Sequence, residues 1–317
     1  MTLPVAGAVR SAVTESWFAG GRVLVLALEG WNDAGDAATG AVRTLREALE
    51  LQVLADIDPE EYFDYQFNRP LRTAEPRDGS RIVWPGVTLL GPVEPTPLSE
   101  LTGQRFDVGA EPVRIEDAGT VYLMLGSEPS RRWKLFCQEF LDLLEQHAIS
   151  SIVTLGALLA DVPHSRPISV MATSDDSETR RQLELERSSY EGPVGMPSVL
   201  ADAAAQAGVP TVSIWASVPH YVHAGPSPKA TLALLERLEE VLGLQVPRGE
   251  LETDAAKWEA GIDSLTAEDE EMVSYIQHLE RERDAVESPE ASGDAIAQEF
   301  ERYLRRRERP DDDPRMR

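Results

Sequence analysis

Short continuous apolar runs alternate with longer stretches of helical period along most of the chain. The first run, Arg22 to Leu28, predicts a strand that leads directly into the turn Glu29-Gly30-Trp31-Asn32-Asp33-Ala34-Gly35. A helix follows, with Ala38, Val42, Leu45 and Leu49 on one stripe. Further strands are predicted at Leu51 to Ile57, Arg81 to Leu90, Thr120 to Leu125, Ser151 to Leu155, Ile168 to Thr173 and Thr211 to Ala216. Pro85 breaks or bulges the second of these, because proline cannot donate to a ladder. Gly156-Ala157-Leu158 is expected to turn the chain away from its strand. Helical spacing runs from Arg131 to His147 through Trp133, Phe136, Phe140, Leu143 and Leu144. A short helix is expected at Ser198 to Ala207, stopped by Gly208 and Pro210. Pro228 to Leu242 carries Leu232, Leu235, Leu238 and Leu242 on one stripe. Continuous apolar strands separated by helices indicate an α/β fold with a mostly parallel sheet covered on both faces.

The stretch from Asp58 to Gly119 is less regular and reads as an ordered insertion with short antiparallel strands. Its aromatic run, Tyr62-Phe63-Asp64-Tyr65-Gln66-Phe67, suits the core of a subunit interface. Covering a sheet edge within one molecule is the alternative. Composition changes after Val246-Pro247, where Glu, Asp and Arg take over. The chain therefore divides into an N-terminal segment (1–19), an α/β domain (20–247) and an acidic helical extension (248–317). Thr266 is the expected N-cap of a helix with Met272, Ile276 and Leu279 on one stripe. Ser288 to Gly293 reads as a linker, and Asp294 to Arg307 as a last helix with Ile296, Phe300, Tyr303 and Leu304 on one face. The tail from Asp311 is expected to be disordered. Stripes this narrow must pack on the α/β domain or on another chain.

Charge narrows the partners. The 317 residues carry a formal net charge of −25. That argues against nucleic acid, whose phosphates need a basic face, and against anionic membranes. No apolar run reaches the roughly 18 residues of a membrane span, and the first residues lack a signal-peptide core. A cytoplasmic protein is expected. The single cysteine excludes an intrachain disulfide, and Cys137 among Phe136, Phe140, Leu141 and Leu144 reads as a structural thiol.

Familiar catalytic signatures are absent: no phosphate-binding or dinucleotide loop, no nucleophile elbow, no H-E-x-x-H. His220 and His223 form the only close histidine pair and lack a third ligand. No metal and no cofactor is expected. What remains is positional. The ends of the predicted strands carry Asn32, Asp33, Gly126, Ser127, Glu128, Gly156 and His220. In a parallel sheet such ends lie at one edge, so these residues should converge on one cleft. Glu128, Asp33 and His220 are its titratable candidates. The competing reading makes Asp33 and Ser130 caps of the helices that follow them.

Trp31-Asn32-Asp33-Ala34-Gly35 after a strand resembles the opening signature of the proteasome-assembly-chaperone-2-like family, also called domain of unknown function 75. Gly126-Ser127-Glu128-Pro129 resembles its second signature, and Leu155 through Pro167 its middle block. Gly192 through Pro197 and Val218 through Val222 resemble later ones. The matches run in order over roughly residues 20 to 245. The long acidic helical C-terminus resembles the actinobacterial branch. This resemblance implies a three-layer α/β/α sandwich related to purine nucleoside phosphorylases. It also implies self-association, with a trimer favoured over a dimer, and protein partners in the proteasome system. Archaeal members that engage the proteasome end in a hydrophobic-Tyr-any tail, whereas this chain ends in Pro314-Arg315-Met316-Arg317. Docking through such a tail is therefore not expected. The function expected is a non-enzymatic interaction or assembly factor. The alternative is a binder or enzyme that takes a nucleoside-like or phosphorylated ligand in the strand-end cleft.

Overall fold

Strand β1 (Arg22–Glu29) is buried along its whole middle, which places it inside a sheet rather than at an edge. It pairs in parallel with β6 (Thr120–Ser127) on one side and β7 (Ser151–Ala160) on the other. The computed structural model describes residues 21–49, 51–75, 79–92, 120–222 and 225–287. The full sheet has seven strands in the order β2-β5-β6-β1-β7-β9-β8, with β2 at Gln52–Ile57, β5 at Val87–Gly91, β8 at Val170–Thr173 and β9 at Thr211–Pro219. The four central strands β6, β1, β7 and β9 are mutually parallel. The flanks are antiparallel: β5 against β2 and β6, and β8 against β9. The fold is thus α/β with a mixed, mostly parallel sheet.

Alternate residues of β1 face opposite layers, as a period of two requires. Val23, Val25 and Ala27 pack under α1 (Ala37–Ala48) and α6 (Pro228–Leu242), in a core built only of aliphatic side chains. Leu24, Leu26 and Leu28 face α3 (Trp133–Gln146) and α5 (Met196–Gln206). That second core holds Tyr62, Phe63, Tyr122, Phe136 and Phe140. Tyr62 closes the short helix α2 (Pro59–Tyr62), and its ring meets Phe136 edge-on at 5.2 Å. The head of the aromatic run is therefore core rather than interface. Of that run's aromatics, Phe67 stands well out, at 82% exposure.

Several expectations change. The predicted strand from Arg81 to Leu90 is two strands either side of Pro85. Gly79–Val83 is β4, which pairs with β3 (Leu71–Glu75) in a separate two-stranded sheet, and Val87–Gly91 is β5. β7 does not turn at Gly156 but runs on to Ala160, paired with β9 as far as Ala160 opposite Pro219. The gap a Cβ would occupy at Gly156 is filled by the Trp215 ring, 2.6 Å away. That glycine serves a close approach, not a turn. Ser130 does not cap α3; its hydroxyl accepts the Asp64 N–H at 2.8 Å.

Past α6 the chain forms α7 (Leu251–Thr266) and α8 (Glu270–Glu287). Thr266 is the last residue of α7, and Asp269 takes the expected capping role, accepting the N–H groups of Glu271 and Met272 at 3.0 and 3.1 Å. The stripe of α8 buries Ile276 and Leu279 as expected. A short helix, α4 (Ser177–Leu183), completes the set; the expected linker and helix beyond Ser288 lie outside the described residues. No described helix is long and apolar enough to cross a membrane.

Candidate functional site at the strand ends

The turn after β1 lies against β7. Ala157 N–H donates to the Asn32 carbonyl at 2.8 Å, and Asp33 bridges to Ala157 in parallel fashion. This holds the Asn32 side chain inward, 3% exposed, where its amide donates to Glu128 Oε1 at 2.9 Å. The same oxygen accepts the N–H of Met196, the first residue of α5, at 2.7 Å. Glu128 itself is fixed by its N–H bond to the Glu29 carbonyl at 2.9 Å. Only glycine fits at position 195, because a Cβ on Gly195 would collide with the Asn32 side-chain amide. One carboxylate thus ties β6, the β1 turn and the start of α5 together.

Asp33 is occupied in the same way. Its carboxylate accepts the N–H groups of Ala38 and Thr39 at 2.7 and 3.2 Å and the Thr39 hydroxyl, capping α1 across the 3₁₀ turn Ala34–Asp36. Burial raises its pKa above the ordinary aspartate value, and these hydrogen bonds pull against that shift. Gly126 lies opposite Leu28, and the Gly86 carbonyl occupies the place where its Cβ would be. The Ser127 hydroxyl donates to Glu29 at 3.1 Å, and Glu29 pairs with Arg43. The candidates Asn32, Asp33, Gly126, Ser127 and Glu128 therefore share one filled edge of the sheet. Three exposed apolar side chains adjoin it in sequence: Trp31 at 66%, Leu158 and Val194.

His220 is elsewhere. β9 continues past Trp215, the partner of Gly156, and at about 3.3 Å per residue the intervening residues carry His220 roughly 16 Å along. There its N–H donates to the Ala160 carbonyl at 3.1 Å and Nδ1 lies 3.2 Å from Asp161. Its neighbours form a second polar cluster that sequence reasoning missed. His164, 1% exposed, has Nδ1 2.9 Å from the Tyr221 hydroxyl and Nε2 3.1 Å from Asp263 on α7. Lys229 donates to the His164 carbonyl at 2.6 Å and pairs with Glu259. Arg166 pairs with Glu280 and Asp284 on α8, and the Tyr275 hydroxyl donates to Asp161 at 3.2 Å. Burial pushes the Tyr221 phenol up to about 12. No local pattern could reveal this cluster, because Asp263 lies 99 positions from His164 and Glu280 lies 114 from Arg166. Cys137 is half-buried with its thiol pKa raised, first by burial. Among the described residues no group of three or more His, Cys, Asp or Glu is placed to hold a metal ion.

The PAC2 family profile matches residues 27–266, from within β1 to the end of α7. The chain belongs to the PAC2 family. A PAC2 family protein from Streptomyces avermitilis is similar at 41% identity, the match covering 80% of this chain and 99% of that one, with a TM-score of 0.67. A proteasome-assembly chaperone homologue from Mycobacterium tuberculosis is similar at 39% identity over 80% and 99%, with a TM-score of 0.65. An archaeal homologue of proteasome-assembly chaperone from Pyrococcus furiosus shares 15% identity over 84% and 97% at a TM-score of 0.52, a likeness of fold alone. No curated protein matches the sequence. In this PAC2 chain the Trp31-to-Gly35 and Gly126-to-Pro129 signatures meet at Asn32 and Glu128, and the Gly192-to-Pro197 signature joins them through Gly195 and Met196.

Proposed function

We propose that this PAC2 protein is a non-enzymatic interaction factor that assists the assembly of other proteins, with the proteasome system as its target class, and that it works in the cytoplasm as a homo-oligomer. The observation that carries the reading is the filled strand-end edge. Where α/β sheets bind ligands, Glu128 and Asp33 are already spent on helix caps, and Asn32 is closed over by Gly195. Beside that edge the protein offers Trp31, Leu158 and Val194 to solvent, the kind of side chain that anchors protein contacts. The Mycobacterium tuberculosis relative, described as a proteasome-assembly chaperone homologue, supplies the target class. The test mixes proteasome α and β subunits of the same organism with and without this protein and follows particle formation by native electrophoresis. Faster or fuller assembly, lost on Trp31→Ala with Leu158→Ser at unchanged melting temperature, supports the reading. Unchanged assembly kinetics and no co-migration with any subunit overturn it.

A further inference from the structure

Strand β7 outruns its neighbour on one side. Its last contact with the turn after β1 is at Ala157, whose N–H donates to the Asn32 carbonyl. From there Leu158, Leu159 and Ala160 pair with β9 alone. Backbone groups alternate sides along a strand, so Leu159 turns its N–H and C=O the way Ala157 does, into the gap above that turn. The Ala160 carbonyl keeps the same phase: it lies on the other side and accepts the His220 N–H. Among the described residues no backbone group bonds to Leu159 on its open side. The Leu158 and Leu159 side chains stand exposed on opposite faces. An open strand edge flanked by apolar side chains is how a sheet takes up an added strand.

The surroundings are short of cations. Glu128 uses Oε1 for both Asn32 and Met196, and its Oε2 has no donor among the described residues. That oxygen lies beside Gly30, where a Cβ would come within 3.6 Å of it. Gly30 and Asn32, which both adjoin Glu128, bracket the exposed ring of Trp31. Asp36, at the end of the same turn, and Glu191, three residues before Val194, are exposed and form no ion pair among the described residues. The arginines that follow Glu128 and the one on α1 are taken. Arg43 pairs with Glu29 and Arg132 with Glu61, while Arg131 donates to the Glu60 carbonyl at 2.6 Å. A cation brought to this edge therefore meets unmatched carboxylates and an aromatic face.

We propose that this edge takes an extended, basic segment of a partner protein as an added strand on Leu159. A Lys or Arg side chain of that segment pairs with Glu128 Oε2 against the Trp31 ring, and its apolar side chains cover Leu158 and Leu159. The Leu159 N–H and C=O supply two backbone hydrogen bonds, and the basic side chain sets the register. This rests on the interaction reading above and names the chemistry of the segment that is bound.

Fluorescence anisotropy of the full chain with two labelled synthetic peptides tests it, one of alternating valine and arginine and one with glutamate in place of arginine. The arginine peptide is expected to bind and the glutamate peptide is not. Asp36→Asn with Glu191→Gln and Trp31→Ala is expected to weaken binding roughly tenfold or more. Glu270→Gln with Glu271→Gln, which removes the same charge from α8, leaves it unchanged. Melting followed by far-UV circular dichroism confirms that each variant is folded. Hydrogen exchange at residues 158–160 should slow when the arginine peptide is bound. No binding of the arginine peptide, or an equal loss in both sets of variants, overturns the proposal. Proteasome assembly that this protein accelerates but excess arginine peptide leaves untouched also overturns it, and leaves the interaction reading standing. Peptide binding at this edge without any effect on assembly supports the edge and overturns the proteasome as its target.

Discussion

Asn32 donates its side-chain amide to Glu128 across the end of the sheet, joining the turn after β1 to the segment after β6. The bond is 2.9 Å long, and the accepting oxygen also holds the N–H of Met196. Removing the carboxylate leaves a largely buried amide and a helix N–H without their acceptor. Glu128→Ala is expected to cost about 2 kcal/mol and to lower the melting temperature by roughly 5 °C. Glu128→Gln, which keeps one carbonyl oxygen, should cost less than half as much. Thermal unfolding followed by far-UV circular dichroism compares the two.

Asp33 sets a pH dependence of definite sign. Its pKa is raised in the folded state, chiefly by burial. The folded protein therefore takes up this proton at higher pH than the unfolded chain does. The stability it contributes is fully present below the ordinary aspartate value and is lost as pH rises through the raised one. Asp33→Asn removes this titration. Relative to that variant, the wild type should gain stability as pH falls across the window between the two values. Urea midpoints of both proteins from neutral pH down to the ordinary aspartate range give the difference.

Two glycines should respond in opposite directions to the same substitution. Gly195→Ala drives a Cβ into the Asn32 amide and should cost roughly 1–3 kcal/mol. Gly261 lies inside α7, and an added methyl group there would meet nothing within 4 Å. Gly261→Ala should stabilise by about 1 kcal/mol through helix propensity alone. Urea unfolding at neutral pH measures both.

The C-terminal helices are joined to the α/β domain by both polar and apolar contacts. Arg248 reaches Glu236, Glu239 and Glu252, while Ile262, Ile276 and Leu279 are buried. A chain ended at Pro247 loses all of these. Three buried aliphatics at about 2 kcal/mol each set the scale of the loss. A lower melting temperature and increased binding of an apolar dye are expected. An unchanged melting temperature would show that α7 and α8 add nothing to the stability of the domain.

Much of the fold was legible because local signals agreed with the tertiary ones. Pro228 at the first turn and Gly243 in the left-handed region bound α6, so its limits match the sequence reading. The continuous Val and Leu of β1 mark a strand buried on both faces. Strand direction at the flanks was not legible, since apolar content does not distinguish an antiparallel β8 from a parallel one. The extension was legible as helical but the limits of α7 within it were not, because that helix buries only Ala255 and Ile262 and carries Gly261 in its interior. At the candidate site, the sequence correctly suggested Asp33 as a cap. Glu128 capping α5 was hidden, because the helix it caps begins 68 residues later. Grouping His220 with Asn32 requires all parallel strands to end level, and the extension of β7 and β9 separates them.

The all-aliphatic core under α1 and α6 has a spectroscopic consequence. Tyr62, Tyr122, Phe136 and Phe140 all lie in the opposite layer, so the near-UV circular dichroism of these buried core rings reports on that layer. Far-UV signals weigh the helices of both layers. If the two layers come apart together, the near- and far-UV melting curves superimpose. If the aliphatic layer loosens first, the far-UV curve moves ahead while the aromatic signal holds. Comparing the two curves would therefore tell which face of the sheet lets go first, with no substitution and no label.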